Sequence, residues 1–175
     1  MKKRKGLVIV NTGEGKGKTT AALGVLFRAW GQGFQICVIQ FIKAETGRWG
    51  EVKAAEKLNI EWYKTGAGFA QTPEEKAEAA AKSREAWGLA QKKIIAGGFD
   101  LVILDEFTYP LHYGWLSVEE VLTWLRENKP PDLHLLITGR DVPQALIDYA
   151  DTVTEMRNIK HAFERGVKAQ SGIDF

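Results

Sequence analysis

The stretch LVIVNTGEGKGKTT, residues 7–20, joins a short apolar run to a loop rich in glycine and lysine. Leu7–Val10 has the composition of a buried strand, and a helix-like pattern starts at Lys18. Backbone N–H groups in a glycine-rich turn that opens a helix attract an anion, and the positive end of the helix dipole adds to that attraction. The stretch therefore predicts a strand, a polyphosphate-binding loop and a helix.

This loop departs at one position from the P-loop pattern Gly-x-x-x-x-Gly-Lys-Ser/Thr. Gly17, Lys18 and Thr19 match the pattern, whereas Thr12 occupies the first glycine position. In such loops the lysine binds phosphate oxygens and the following hydroxyl binds Mg²⁺. A glycine-rich turn with surface lysines is the alternative, and the strand and helix on either side argue against it.

A second signal is LVILDE, residues 101–106, in which an apolar strand ends in Asp105 and Glu106. P-loop folds bring carboxylates to a nucleotide-bound metal at this end of a strand. Solvated acids at a strand end are the alternative, which the nearby phosphate-loop pattern disfavours. Together the two motifs predict a nucleoside triphosphate with Mg²⁺, but they do not separate phosphoryl transfer, hydrolysis and nucleotide sensing.

The rest of the chain alternates apolar runs with helix-like stretches. Strands are predicted where Val, Ile and Leu cluster without strict alternation, and helices where a capping residue or proline opens an amphipathic stretch. The predicted strands are Gly6–Asn11, Gln35–Ile42, Glu61–Thr65, Leu101–Asp105, Leu133–Thr138 and Thr152–Met156, and the predicted helices are Lys18–Trp30, Pro73–Ala96, Ser117–Asn128 and Pro143–Tyr149. This order predicts one α/β domain over residues 1–175, of the P-loop NTPase (RecA-like) type, with a mostly parallel sheet and helices on both faces.

Composition limits which partners and which cellular location are expected for the protein. With 45% hydrophobic and 26% charged residues and a formal charge of +2, the chain gives no overall argument for a nucleic-acid partner, and Lys2–Lys5 is interpreted as a solvated tail. No apolar run approaches the roughly 20 residues of a membrane span. The single cysteine, Cys37, excludes a disulfide within the chain and is interpreted as a buried strand residue. We expect a cytoplasmic protein.

A series of short motifs points to a particular reaction. TGEGKGKTTAALG (12–24), VIQFIK (38–43), LDEFTY (104–109) and ITGR (137–140) precede ADTVTEMRNIKHAFERGVKAQSGIDF (150–175). This series resembles the P-loop cob(I)alamin (corrinoid) adenosyltransferases from about Gly6 to the last residue, most specifically in KHAF, GVKAQ and GID. The resemblance implies that Co(I) of a reduced corrinoid attacks the 5′ carbon of ATP, so that adenosylcorrinoid forms and triphosphate leaves. It also implies a homodimer and a reductase partner that supplies electrons to cobalt.

The same resemblance assigns roles to individual residues. Lys18 and Glu106 would be catalytic, and Thr19 and Glu106 would bind the metal with Asp105 supporting them. Phe69 would press on the lower face of the corrin ring, and Gln71 stands where relatives usually carry tryptophan. The residues implied to contact ATP are Gly13, Glu14, Gly15, Lys16, Gly17, Lys18, Thr19, Thr20, Arg28 and Arg140. For the two arginines, an ordinary solvated side chain is the alternative.

Other functions also fit the nucleotide motifs. A small-molecule kinase, or an ATPase in which Glu106 positions water, would release ADP or phosphate instead of triphosphate. A non-catalytic protein would bind nucleotide or corrinoid and deliver it to a partner, although Lys18, Thr19 and Glu106 argue against a purely binding site. The hypothesis of a motor that acts on nucleic acid is supported only by the basic N-terminus.

Because five residues precede Gly6, where relatives often carry a longer segment, we expect closure of the site to differ from theirs.

Overall fold

The computed structural model describes residues 5–44, 49–66, 68 and 72–174. Within them, six parallel strands form a single sheet. The strands are β1 (Val8–Thr12), β2 (Ile36–Ala44), β3 (Glu61–Gly66), β4 (Leu101–Asp105), β5 (His134–Thr138) and β6 (Thr152–Glu155). Their order across the sheet is β3-β2-β4-β5-β1-β6. The predicted α/β fold is confirmed, and every strand pair is parallel.

Helices connect the strands. They are α1 (Lys18–Gly31), α2 (Gly50–Lys57), α3 (Pro73–Ile95), α4 (Thr108–His112), α5 (Val118–Asn128) and α6 (Gln144–Tyr149), and a 3-10 helix spans Ala162–Arg165. The side chains of Thr72 and Ser117 cap α3 and α5 by accepting hydrogen bonds from the N–H groups of Glu75 and Glu120.

Two of these helices were not predicted from the sequence. α2 is short and polar and buries only Ala55, so its hydrophobic pattern is too weak to indicate a helix. α4 carries Pro110 as its third residue, and a proline in so short a stretch argues against a helix. In the first turn of a helix, however, the N–H that proline lacks has no intrahelical partner, and Pro110 is itself buried.

Alternate residues of the central strands pack against different helical layers. In β2, Val38 packs with α1 and α2, whereas Cys37 and Ile39 pack with the helices of the other face. The second layer is the larger, and its centre is an aromatic cluster in which the Phe107 ring lies 4.8 Å from Phe41 and 5.3 Å from Trp87. Fully burying each such side chain contributes about 1.5–3 kcal/mol. Sandwiching the sheet in this way holds the strand ends in a rigid arrangement.

The interpretation of Cys37 as a buried strand residue is confirmed. Its side chain is inaccessible to solvent, and burial raises the pKa of the thiol to about 12. The thiol therefore stays protonated and unreactive at neutral pH. Among the described residues, no helix combines the length and apolar character needed to cross a membrane.

The carboxyl ends of three adjacent strands lie at the centre of one sheet edge. β4, β5 and β1 follow one another across the sheet. Their last residues are Asp105, Thr138 and Thr12, so the loop after β1 and the acids at the end of β4 meet at this edge. In open parallel sheets this edge is the usual place for a ligand.

Candidate nucleotide and metal site

The glycine-rich loop between β1 and α1 rests on the chain that leaves β6. The Gly15 N–H donates a hydrogen bond of 2.6 Å to the Met156 carbonyl oxygen. A Cβ atom on Gly13, whose φ is +96°, would lie 2.5 Å from that oxygen, and one on Gly15 would lie 2.7 Å from Arg157 backbone. Both positions therefore exclude any larger residue. The Gly15 amide is engaged by the protein, whereas the sequence pattern had indicated a loop with free amides.

Lys18 folds back over this loop. Its ammonium donates hydrogen bonds to the carbonyl oxygens of Gly13 (2.6 Å) and Gly15 (2.8 Å). Burial lowers the pKa of Lys18, and the nearby Arg140 guanidinium lowers it further, against the opposing effect of Glu14. Two close cations favour an anionic ligand, because each loses repulsion when negative charge lies between them.

Asp105 is the buried centre of the site, with 1% of its surface exposed. Its Oδ1 atom accepts hydrogen bonds from the hydroxyls of Thr19 (2.8 Å) and Thr138 (2.7 Å). Its Oδ2 atom accepts one from the side-chain amide of Gln40 (2.9 Å). Three donors offset the cost of removing this carboxylate from water, so its position is held by the folded protein.

Glu106 follows in a left-handed backbone conformation, with φ +61°. Its N–H donates to the Thr138 hydroxyl at 2.9 Å, which ties the turn after β4 to the end of β5. Positive φ is uncommon for residues with a side chain and is found more often at functional sites. The Thr138 hydroxyl thus links the Asp105 carboxylate to the Glu106 backbone, and Asp105 in turn contacts Thr19.

The outer side of the site is lined by exposed charged groups. Glu14 and Arg140 form an ion pair of 2.9 Å, and Lys16 pairs with Asp174 at 2.5 Å. The Arg140 carbonyl oxygen accepts a hydrogen bond from the Thr108 hydroxyl. A cavity of about 470 Å³ opens between the loop and the C-terminal segment, and its lining is Glu14, Gly15, Lys16, Lys18, Arg140, Asn158, His161, Phe163 and Glu164.

Other predicted residues lie apart from this centre. Arg28 is exposed in the last turn of α1, ten residues after Lys18, which corresponds to about 15 Å along the helix axis. Thr20 is exposed in the first turn of the same helix. Phe69 and Gln71, the residues assigned to the corrin face, lie outside the described residues.

Reasoning from the sequence missed two contributors to the site. Gln40 and Thr138 both contact Asp105 and are 0% and 1% exposed. Gln40 interrupts the apolar strand β2 and Thr138 ends the apolar strand β5, and a polar side chain in a strand covered on both faces needs an internal partner. That polar position was the available signal for both residues.

Comparison with known proteins agrees with this geometry. Residues 4–175 match the model of the family described as ATP:corrinoid adenosyltransferase BtuR/CobO/CobP. This chain belongs to that family. It is therefore a transferase whose activity is the transfer of the adenosyl group of ATP to a corrinoid.

Individual relatives are similar over nearly the whole chain. A corrinoid adenosyltransferase of Sinorhizobium sp is 41% identical over 98% of this chain and 81% of its own length. One from Escherichia coli K12 is 42% identical over 98% of this chain and 86% of its own length. The crystal structure of the flagellar accessory protein FlaH from Methanocaldococcus jannaschii has a similar fold. Its TM-score is 0.57 at 9% identity, covering 87% of this chain and 71% of that one.

Proposed function

We propose that the loop of residues 13–20 holds the triphosphate of ATP as the leaving group of the adenosyl transfer. The observation that carries this proposal is the convergence of Lys18 and Arg140 on one cavity beside the loop. In the transfer, a bond forms between Co(I) and the 5′ carbon, and the bond from that carbon to the triphosphate oxygen breaks. The electron pair of the broken bond leaves with the triphosphate, so negative charge increases where the two cations lie.

The reaction explains why the site is rich in charge-binding groups. Co(I) attacks with its own lone pair and carries no proton, so the step needs no general base. What the protein must supply is alignment of the two substrates and stabilisation of the departing charge. Lys18 would exchange the carbonyl oxygens of Gly13 and Gly15 for phosphate oxygens. Its lowered pKa reflects burial, which also strengthens its attraction to an anion.

A magnesium ion is the metal that the available ligands fit. Thr19 and Glu106 would hold it, with Asp105 behind them, and all three side chains present oxygen atoms. Asp105 accepts a hydrogen bond from the Thr19 hydroxyl, so a lone pair of the hydroxyl oxygen can face the loop. Mg²⁺ usually takes few protein ligands and completes its shell with water and phosphates. Bound there, it would neutralise charge on the triphosphate.

The remaining assignments stay predictions. Arg28 would contact ATP and Phe69 the corrin ring, as the family resemblance implies. A homodimer, a reductase partner and a cytoplasmic location also rest on sequence reasoning. The assignment of residues 1–175 to one domain is supported by the presence of all six strands in a single sheet.

The test is an anaerobic incubation with ATP, Mg²⁺ and chemically reduced cob(I)alamin. The corrinoid is followed by its absorption spectrum, and the phosphate product is identified by ³¹P NMR. We expect light-sensitive adenosylcobalamin and one equivalent of triphosphate. ADP or phosphate without a new corrinoid species would instead support the kinase or ATPase alternative. Binding of both substrates with no product would support a delivery protein.

A further inference from the structure

A chain of two hydrogen bonds, one buried and one partly buried, leads from Asp105 away from the cavity to the edge of the sheet. Gln40, in β2, donates its side-chain N–H to Asp105 Oδ2 at 2.9 Å. Trp62, in the edge strand β3, donates its indole N–H to Gln40 Oε1 at 2.9 Å. Gln40 is 0% exposed and Trp62 is partly buried against the face of α1 and α2.

The indole N–H determines which way the Gln40 amide points. A carboxamide presents an oxygen acceptor at one end and an NH₂ donor at the other. If it were rotated by half a turn, its oxygen would face the Asp105 carboxylate and its NH₂ would face the Trp62 N–H. Both contacts would then be repulsive inside the protein, where such mispairing is costly. Trp62 thereby selects the orientation in which Gln40 binds Asp105.

The orientation of Asp105 in turn affects Thr19. With Oδ2 held by Gln40, the other oxygen, Oδ1, faces the hydroxyls of Thr19 and Thr138. Loss of the Gln40 contact would leave Oδ2 without this donor and would allow the carboxylate to turn. The Thr19 hydroxyl would then lose the acceptor that fixes the direction of its O–H bond. The lone pairs of its oxygen would no longer have a fixed orientation.

We propose that Gln40 and Trp62 are positioning residues, which orient Asp105 and through it the Thr19 oxygen toward the metal–triphosphate complex. The inference rests on the proposed use of this loop to hold triphosphate with Mg²⁺. Neither residue touches the cavity, so both act at a distance through hydrogen bonds. Outer contacts of this kind typically affect metal affinity or activity by about 10- to 100-fold.

The experiment measures tripolyphosphate binding by calorimetry across a series of Mg²⁺ concentrations. Trp62→Phe keeps an aromatic ring and removes the indole N–H, and Gln40→Leu removes both hydrogen bonds. We expect Gln40→Leu to need about 10-fold or more additional Mg²⁺ for half-maximal binding, and Trp62→Phe to need less than that but more than wild type. Excess Mg²⁺ should restore kcat for adenosylation in Trp62→Phe, because the metal compensates for a poorly oriented ligand.

The matched control is Trp30→Phe. The Trp30 indole N–H also donates a hydrogen bond, to the Leu58 carbonyl oxygen at 3.3 Å, but α1 carries it away from the site. In ¹⁵N-labelled wild type, the Trp62 indole resonance should shift on addition of Mg²⁺ and tripolyphosphate, and the Trp30 resonance should not. Single-site replacement of each tryptophan assigns the two resonances.

Two negative results have different meanings. If wild type binds tripolyphosphate but Trp62→Phe shows the same Mg²⁺ dependence as Trp30→Phe, the positioning role is wrong and the proposed function stands. If wild type does not bind tripolyphosphate with Mg²⁺, the proposed leaving-group site fails and this inference fails with it. A Gln40→Leu chain that does not fold leaves the decision to Trp62→Phe, which disturbs only one hydrogen bond.

Discussion

The inner and outer sides of the glycine-rich loop between β1 and α1 are built differently. On the inner side, Asp105 is 1% exposed and accepts three hydrogen bonds from neighbouring strands and from α1. On the outer side, Glu14 and Arg140 meet in an ion pair whose side chains are 65% and 45% exposed. One half is part of the folded core, and the other lies on the surface.

If the loop binds triphosphate as proposed, this difference indicates how the site would accept it. Exposed ion pairs contribute only about 0–1 kcal/mol, so under the proposed function Arg140 would leave Glu14 for a phosphate at little cost. The buried network cannot rearrange so readily, because each of its donors would lose a partner away from water. The inner side would therefore set the geometry, and the outer side would adjust to the anion.

The largest effect is expected for Asp105→Ala. The change leaves the Thr19, Thr138 and Gln40 donors without their common acceptor, so the free energy of unfolding should fall by about 2–4 kcal/mol. Activity should fall by about 100-fold or more. Urea unfolding and a steady-state adenosylation assay measure the two effects. Wild-type stability in this variant would show that the network is not structural.

Lys18→Ala should separate activity from stability. Among the described residues, the Lys18 ammonium donates hydrogen bonds only to carbonyl oxygens of the loop. The loop is also held by the hydrogen bond to Met156, so loss of the ammonium should not unfold it. We expect kcat to fall by about 100- to 1000-fold with a change in unfolding free energy below about 1 kcal/mol. Stopped-flow spectra of the corrinoid give the rate. An unchanged rate would contradict the assignment of Lys18 to the leaving triphosphate.

A smaller effect of opposite sign is expected for Glu14→Gln. This substitution removes the carboxylate that competes with phosphate for Arg140, and it also removes negative charge from the cavity. The dissociation constant for tripolyphosphate should fall by about 2- to 5-fold, as for loss of an exposed ion pair. Isothermal calorimetry measures it, with Glu78→Gln on the exposed surface of α3 as the control. Weaker binding would mean that Glu14 assists the ligand.

The smallest effect concerns the contact between the loop and the C-terminal segment. The Lys16 ammonium, followed by the Gln170 N–H, lowers the pKa of Asp174 below its usual value of 3.8. Because the pKa of Asp174 is lowered in the folded protein, the contact stabilises the segment fully at pH values above 3.8. This stabilisation is lost as the pH falls through the lowered pKa.

Asp174→Asn should abolish this pH dependence. Hydrogen exchange of the Asp174 N–H, which donates to the Gln170 carbonyl oxygen, reports the contact between pH 5 and pH 2 after correction for the intrinsic rate. In wild type, protection should decrease at the acid end, whereas in Asp174→Asn it should be low throughout. Equal profiles for the two proteins would show that the ion pair does not hold the segment.

Sequence reasoning was most accurate where one local pattern decides the structure. β4 was predicted with its observed bounds, because five consecutive apolar or acidic residues in a doubly covered strand leave little ambiguity. α1 was predicted to within one residue, since the loop fixes its start and Gly31 lies at its end. α4 was missed because a proline at position 110 argues against a helix when only the neighbouring residues are considered. Burial of this segment in the core is what favours the helix.

The sequence by itself determined the strand, loop and helix at the start of the chain, the acids at the end of β4, the α/β class and the reaction of the family. Each of these depends on residues close together in the chain or on an ordered set of motifs. Only the tertiary structure decided that Gly13 and Gly15 are needed for the close approach of Met156 and Arg157. It also decided that Gln40 binds Asp105 and that Trp62 binds Gln40. Those contacts join strands far apart in sequence, and their partners are set by strand order and register, which no local pattern specifies.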